Sequence, residues 1–181
     1  MLQEIIIAGF GGQGVMSTGQ LLAYAGLVED KHVSWIPSYG PEMRGGTANC
    51  SVTISDNPVS SPIINEPDTL IVLNRPSLDK FEKDVKPGGL ILLNSSLIDV
   101  EPKRQDVKVL KVSINELANE QLGNSRVANM ILLGAFIELT GAVSIESVEG
   151  ALKKVLPEYR HNLIPLNRQA LELGVELAKG I

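Results

Sequence analysis

Ile5-Ile6-Ile7-Ala8-Gly9-Phe10-Gly11-Gly12-Gln13-Gly14-Val15 is the stretch on which the fold turns. Its uninterrupted, mostly β-branched start suits a strand buried on both faces of a parallel sheet. Glycines end the strand at once. Val15 to Val28 then reads as a helix, with Val15, Leu22 and Gly26 on one side and Gly19, Ala23 and Ala25 small enough for close packing. Strand, glycine turn and helix form the opening of a βαβ unit.

Moving outward, His32 to Ile36 reads as a second strand that Pro37 ends, and Ser38 to Thr47 as a loop. Ala48, Cys50, Val52 and Ile54 alternate with Asn49, Ser51 and Thr53, the period of two of a strand with one polar face. Asp56 to Pro67 is spaced by prolines and reads as turn and loop. Thr69 to Leu73, Leu90 to Leu93 and Val107 to Val112 are further strands, with a short helix from Pro76 to about Lys83. From Asn115 onward the spacing is helical: Asn115 to Leu122, Ser125 to Leu139, Ser144 to Leu156 and Leu163 to Ala178. The expected fold is α/β: three-layer, with a mostly parallel Rossmann-like sheet and a helical C-terminal portion, in a single domain over residues 1–181.

Composition narrows the function classes. A chain of 181 residues with 44% hydrophobic and 20% charged residues is globular and slightly poor in charge, as a surface partly covered by partners would be. A net charge of −5 supplies no excess of Lys and Arg for nucleic-acid phosphates. Cys50 is the only cysteine, and His32 and His161 are the only histidines. An iron–sulfur cluster needs about four thiolates, so any metal centre in a redox role belongs on another chain. The longest apolar run, Met130 to Ile137, falls far short of the roughly 20 residues of a membrane span. Gln3 and Glu4 stand where a signal peptide would be basic, so the expected location is the cytoplasm.

Gly9-Phe10-Gly11-Gly12-Gln13-Gly14 satisfies the G-x-G-x-x-G spacing, which lets backbone approach a ligand and points free N–H groups at an anion. A dinucleotide site also needs an acidic residue about 20 residues on, at the end of the second strand. Ser34-Trp35-Ile36-Pro37-Ser38 offers none, and Glu29 and Asp30 precede that strand. A P-loop fails as well, because Val15 and Met16 replace its Lys and hydroxyl. Two readings stay open: the glycines pack helix against strand, or the loop contacts an anion.

Together with Ser38-Tyr39-Gly40-Pro41-Glu42-Met43-Arg44-Gly45-Gly46-Thr47, the glycine loop carries a family resemblance. The chain resembles the gamma subunit of 2-oxoacid:ferredoxin oxidoreductases, above all those acting on 2-oxoglutarate, over nearly its whole length. The likeness includes Asn129 and Leu133-Gly134-Ala135. Similar segments occur as a fused domain in pyruvate:ferredoxin oxidoreductase and as the beta subunit of indolepyruvate oxidoreductase. The resemblance implies alpha, beta and ferredoxin-like delta partner subunits, with ferredoxin as acceptor. Thiamine diphosphate, magnesium and iron–sulfur clusters would sit on those partners, none in this chain. No catalytic residue is expected here, and the isolated chain is expected to be inactive.

The resemblance implies that this subunit helps form the coenzyme A side of the cleft. The residues it places there are Gly9, Gly11, Gly12, Gln13, Gly14, Ser38, Tyr39, Gly40, Glu42, Arg44, Gly45, Gly46, Thr47 and Asn129. Arg44 is a fork-shaped cation suited to a carboxylate or phosphate, with Glu42 orienting it or pairing across an interface. The plainer alternative is an ordinary surface Glu42–Arg44 pair.

Other residues carry less. Cys50 reads as a core residue, His32 and His161 as exposed or capping, and Asn129 as a buried amide that braces the Gly11 to Gly14 loop or holds a ligand. Met130 to Ile137, apolar on every face, is either enclosed by the domain or met by another subunit. Two competing functions remain: a stand-alone dinucleotide-dependent oxidoreductase, and a small-molecule-binding module without enzymatic partners.

Overall fold

The computed structural model describes residues 1–38 and 47–181. The strands are β1 (Leu2–Phe10), β2 (His32–Ser38), β3 (Thr47–Ser55), β4 (Thr69–Val72), β5 (Leu90–Asn94) and β6 (Lys108–Val112). The α-helices are α1 (Val15–Val28), α2 (Arg75–Phe81), α3 (Ile114–Leu122), α4 (Ala128–Thr140), α5 (Ile145–Val155) and α6 (Ile164–Ala178). Short 3-10 turns continue α2, precede α4 and precede α6.

All six strands form one sheet in the order β2-β3-β1-β4-β5-β6. β1, β4, β5 and β6 are parallel, while β3 runs antiparallel to both β1 and β2. The sheet is therefore mixed and mostly parallel, as expected. The opening βαβ unit is split: β2 runs in the direction of β1, but β3 lies between them. Pro37 does not end β2, which continues to Ser38. An edge strand tolerates a proline because one side of its backbone has no ladder to serve.

Burial explains the strand sequences. Ile5 and Ile7 join the core under the helices, and Ile6 and Ala8 join a smaller core on the opposite face. β4 and β5 are likewise apolar on both faces, which is why they read as continuous hydrophobic runs. In β3 the alternation sorts the two faces: Ala48, Cys50, Val52 and Ile54 enter the main core, and the Ser, Thr and Asn positions face the other way.

α4 is enclosed by its own chain. Every residue from Met130 to Ile137 is buried, with α6 packed along it. Gly134 and Gly174 make that contact, since a Cβ at either would run into the backbone of the opposing helix at Leu171 or Ile131. Glu29, just past α1, caps α5: its carboxylate accepts from Ser144 N and Ser147 Oγ, both at 2.7 Å, and pairs with Lys31 at 2.8 Å. Burial raises its pKa, but the bonds from Lys31, Ser147 and Ser144 prevail and hold it down to about 2.

Candidate functional site at the carboxyl end of the sheet

β1 ends at Phe10, and its glycine turn delivers the chain into α1. Gln13 fastens this turn with its own side chain. Phe10 N donates to Gln13 Oε1 at 2.6 Å, and Gln13 Nε2 donates to the Leu73 carbonyl at 3.4 Å. Gly14 caps α1 with φ 82°, a left-handed conformation that favours glycine. Its carbonyl accepts from Thr18 Oγ1 at 2.7 Å and Ser17 Oγ at 3.0 Å.

The glycines divide into two roles. A Cβ on Gly9 would meet Gln13 and Leu73 at 2.7 and 2.8 Å, and one on Gly14 would meet Asn129 Nδ2 at 2.6 Å. These two positions are demanded by packing. Gly11 and Gly12 are exposed and a Cβ there would meet nothing within 4 Å, so they leave backbone open to a ligand. The packing reading holds at Gly9 and Gly14.

Asn129 lies across from this turn on α4, and its Nδ2 donates to Thr18 Oγ1 at 2.8 Å. It braces the loop through Thr18. Asn129 also lines the neighbouring cleft, and its Oδ1 keeps acceptor capacity.

The second loop is anchored at the same end. Thr47 pairs with Phe10 and Ser38 pairs with Asn49, so its two ends start and finish at the carboxyl end of β1. Ser38 is exposed and Thr47 half-buried. Tyr39, Gly40, Glu42, Arg44, Gly45 and Gly46 lie outside the described residues.

A cleft of about 590 Å³ opens beside the glycine turn. Gly12, Gln13, Gly14 and Ser17 line it, together with Asn94 at the end of β5 and Asn115 at the start of α3. Arg126, Asn129, Arg160 and Asn167 approach from the helical side. Asn94 is fully buried, donating to the Leu73 carbonyl and to Asn115 Oδ1 and accepting from Ser96 N.

Among the described residues no Asp or Glu lines this cleft, although the chain carries five more acidic than basic residues. Arg126 and Arg160 make no salt bridge among the described residues. The first turn of α1 holds no acidic side chain, and no side chain caps it. Two guanidinium groups and open helix N–H groups, with no carboxylate among the described residues to oppose them, suit an anionic ligand with a polar body.

Sequence reasoning missed Arg126, Arg160, Asn94, Asn115 and Asn167. Arg126 stands three residues before Asn129, a proximity that was readable. Arg160 and Asn167 reach the cleft only through the packing of α4 against α6. The dinucleotide reading loses ground here, because the strand whose end would hold the ribose carboxylate is two places from β1. Glu29 is spent on α5. Cys50 is buried, with Sγ 3.5 Å from the Val15 carbonyl. Among the described residues no three His, Cys, Asp or Glu gather to hold a metal, and no helix is long and apolar enough to cross a membrane.

Comparison with known proteins shows the family. The family model described as pyruvate ferredoxin/flavodoxin oxidoreductase matches residues 4–177. Ketoisovalerate oxidoreductase subunit VorA of Methanothermobacter marburgensis is 41% identical over 97% of this chain. This chain spans only 36% of that relative's length. 2-Oxoglutarate synthase subunit KorC of Methanocaldococcus jannaschii is 36% identical over 99% of this chain and 95% of its own. Among solved structures, the gamma subunit of a keto/oxoacid ferredoxin oxidoreductase from Geobacter sulfurreducens superposes with a TM-score of 0.85. It is 34% identical, and 99% of each chain is covered.

Proposed function

Since the chain belongs to the pyruvate ferredoxin/flavodoxin oxidoreductase family, we propose that it is the gamma subunit of a multi-subunit 2-oxoacid:ferredoxin oxidoreductase. The complex converts a 2-oxoacid, with 2-oxoglutarate the favoured substrate, and coenzyme A to acyl-CoA, carbon dioxide and reduced ferredoxin. Alpha, beta and ferredoxin-like delta subunits complete it. The observation that carries this reading is the cleft beside the glycine turn, where the described residues place Arg126 and Arg160 and no carboxylate.

Thiamine diphosphate and iron–sulfur clusters do not fit this chain. One buried cysteine cannot ligate a cluster, and no three His, Cys, Asp or Glu side chains gather among the described residues to hold a magnesium-bound diphosphate. The redox chemistry therefore belongs to partner subunits, and this subunit contributes binding. Coenzyme A presents phosphates to Arg126, Arg160 and the first turn of α1, with Asn115, Asn129 and Asn167 available to its polar groups. In this reading Arg44 adds a further cation from the second loop.

Reconstituted complex with Arg126→Ala, Arg160→Ala or Arg44→Ala tests the assignment. Loss of one charge-assisted phosphate contact predicts a KM for coenzyme A raised about tenfold, with the KM for the 2-oxoacid unchanged. An unchanged KM for coenzyme A in all three removes the phosphate-binding role.

A further inference from the structure

The side-chain amides that line the cleft are held in fixed orientations, because each is tied to a group that can only give or only take a hydrogen bond. An amide has a donor end and an acceptor end, so a tie that spends one end leaves the other for a ligand.

At the sheet the polarity starts from backbone. The Ser96 N–H can only donate, so the end of Asn94 that meets it at 3.1 Å is Oδ1. Asn94 Nδ2 is left to donate to the Leu73 carbonyl at 3.4 Å and to Asn115 at 3.3 Å. Asn115 must meet that donor with Oδ1, which leaves its own Nδ2 unspent.

The helical side carries the opposite polarity. Asn167 lies 2.8 Å from the Leu163 carbonyl, which has no proton to give, so its Nδ2 is the end engaged. Thr18 Oγ1 commits its proton to the Gly14 carbonyl at 2.7 Å and can only accept from Asn129, 2.8 Å away. Oδ1 is the unspent end of both asparagines. Among the described residues Asn115 Nδ2, Asn129 Oδ1 and Asn167 Oδ1 have no partner, and none of the three is sealed from solvent. Gln13 differs. Its two ends are engaged by Phe10 N and the Leu73 carbonyl, so it shapes the cleft without an end to offer.

The cleft therefore has two kinds of surface. Asn115 joins Arg126, Arg160 and the first turn of α1 as donors, which take phosphate oxygens. Asn129 and Asn167 offer acceptors, and a phosphate oxygen against either would set acceptor against acceptor. Their ligand must bring N–H or O–H groups. Coenzyme A has both halves of this pattern: phosphates, and amide, hydroxyl and amine groups in its neutral parts.

We infer that Asn129 and Asn167 select the ligand by accepting hydrogen bonds from the neutral N–H or O–H groups of coenzyme A, while Asn115, oriented by Asn94, donates to its phosphates. This inference rests on the coenzyme A reading above and adds the direction of each bond.

The test uses the reconstituted complex, with coenzyme A and pantetheine as thiol substrates and inorganic pyrophosphate as a competitor. Asn115→Asp keeps an oxygen for Asn94 but turns the donor into a carboxylate. It is expected to raise the KM for coenzyme A and the Ki of pyrophosphate about tenfold or more, and to leave the KM for pantetheine unchanged. Asn167→Leu removes an acceptor at similar size. It is expected to raise the KM for coenzyme A about three- to tenfold, with the Ki of pyrophosphate unchanged. A matching rise in the KM for pantetheine puts the donor in its amides or hydroxyls. A matching rise in the Ki of the free adenosine bisphosphate portion puts it in the nucleoside. An unchanged KM for the 2-oxoacid shows that each variant complex is intact. A variant that shifts every probe alike, or none, while Arg126→Ala still raises the KM for coenzyme A, overturns this inference alone. A KM for coenzyme A that neither these variants nor the arginine variants move overturns the coenzyme A placement with it.

Discussion

Asn129 Nδ2 and Thr18 Oγ1 meet at 2.8 Å, tying α4 to the first turn of α1, and Thr18 passes the bond on to the Gly14 carbonyl. Gly14 sits under this pair so closely that a Cβ there would overlap the Asn129 amide. Gly14→Ala should cost about 2 kcal/mol, combining that overlap with the left-handed backbone at φ 82°. In an Asn129→Ala background the same change should cost about 1 kcal/mol less, since only the backbone strain remains. Urea unfolding of the double-mutant cycle measures the coupling, and simple additivity would refute the contact.

Which parts of this architecture were readable depends on the range of the forces involved. β1, β4 and β5 announced themselves because burial on both faces leaves no polar alternation. β3 announced itself because burial on one face does. The glycine turn was readable at Gly9 and Gly14, where local packing demands glycine. The insertion of β3 between β1 and β2 was not, because antiparallel pairing over residues 47–55 is a long-range choice that no local pattern records. The cleft was half readable. Its Gly12 to Gly14 wall is contiguous in sequence, but Arg126, Arg160 and Asn167 converge only after α4 and α6 have packed. The part resting on Tyr39 to Gly46 lies outside the described residues.

Glu29 makes stability depend on acid. Its folded pKa is about 2 against an ordinary 4.5, so its contribution is fully present above about pH 5 and drains away as the pH falls toward 2. Glu29→Gln should cost about 2 kcal/mol at pH 7, and the gap to wild type should narrow steadily below pH 5. Thermal melts at several pH values measure it. A gap that stays constant down to pH 3 would contradict the capping role.

Burial pushes the Cys50 thiol up to about 12, against the lowering influence of the Trp35 indole and the Gly19 backbone N–H. At that value almost no thiolate exists near neutrality. A thiol reagent at pH 8 should therefore leave the folded chain unmodified and react in full once denaturant unfolds it. Rapid labelling of the native protein would return Cys50 to consideration as a reactive group.

The contact of α4 with α6 admits no side chain at Gly134 or Gly174. Gly134→Ala should destabilise by about 3 kcal/mol, because the obstruction is the Leu171 backbone and cannot rotate aside. An equally small change at Gly150, where a Cβ meets nothing within 4 Å, should be neutral or slightly stabilising. Equal melting temperatures for the two variants would show that the helices are further apart than described.

The subunit reading is tested most directly by isolating the chain from its native cells through a carboxyl-terminal tag and assaying the purified material. The assay is reduction of a low-potential dye that depends on both a 2-oxoacid and coenzyme A. The account predicts that partner subunits and this activity elute together with the chain, and that omitting either substrate abolishes the reduction. Recovery of the chain as a lone monomer, without such activity, would contradict it.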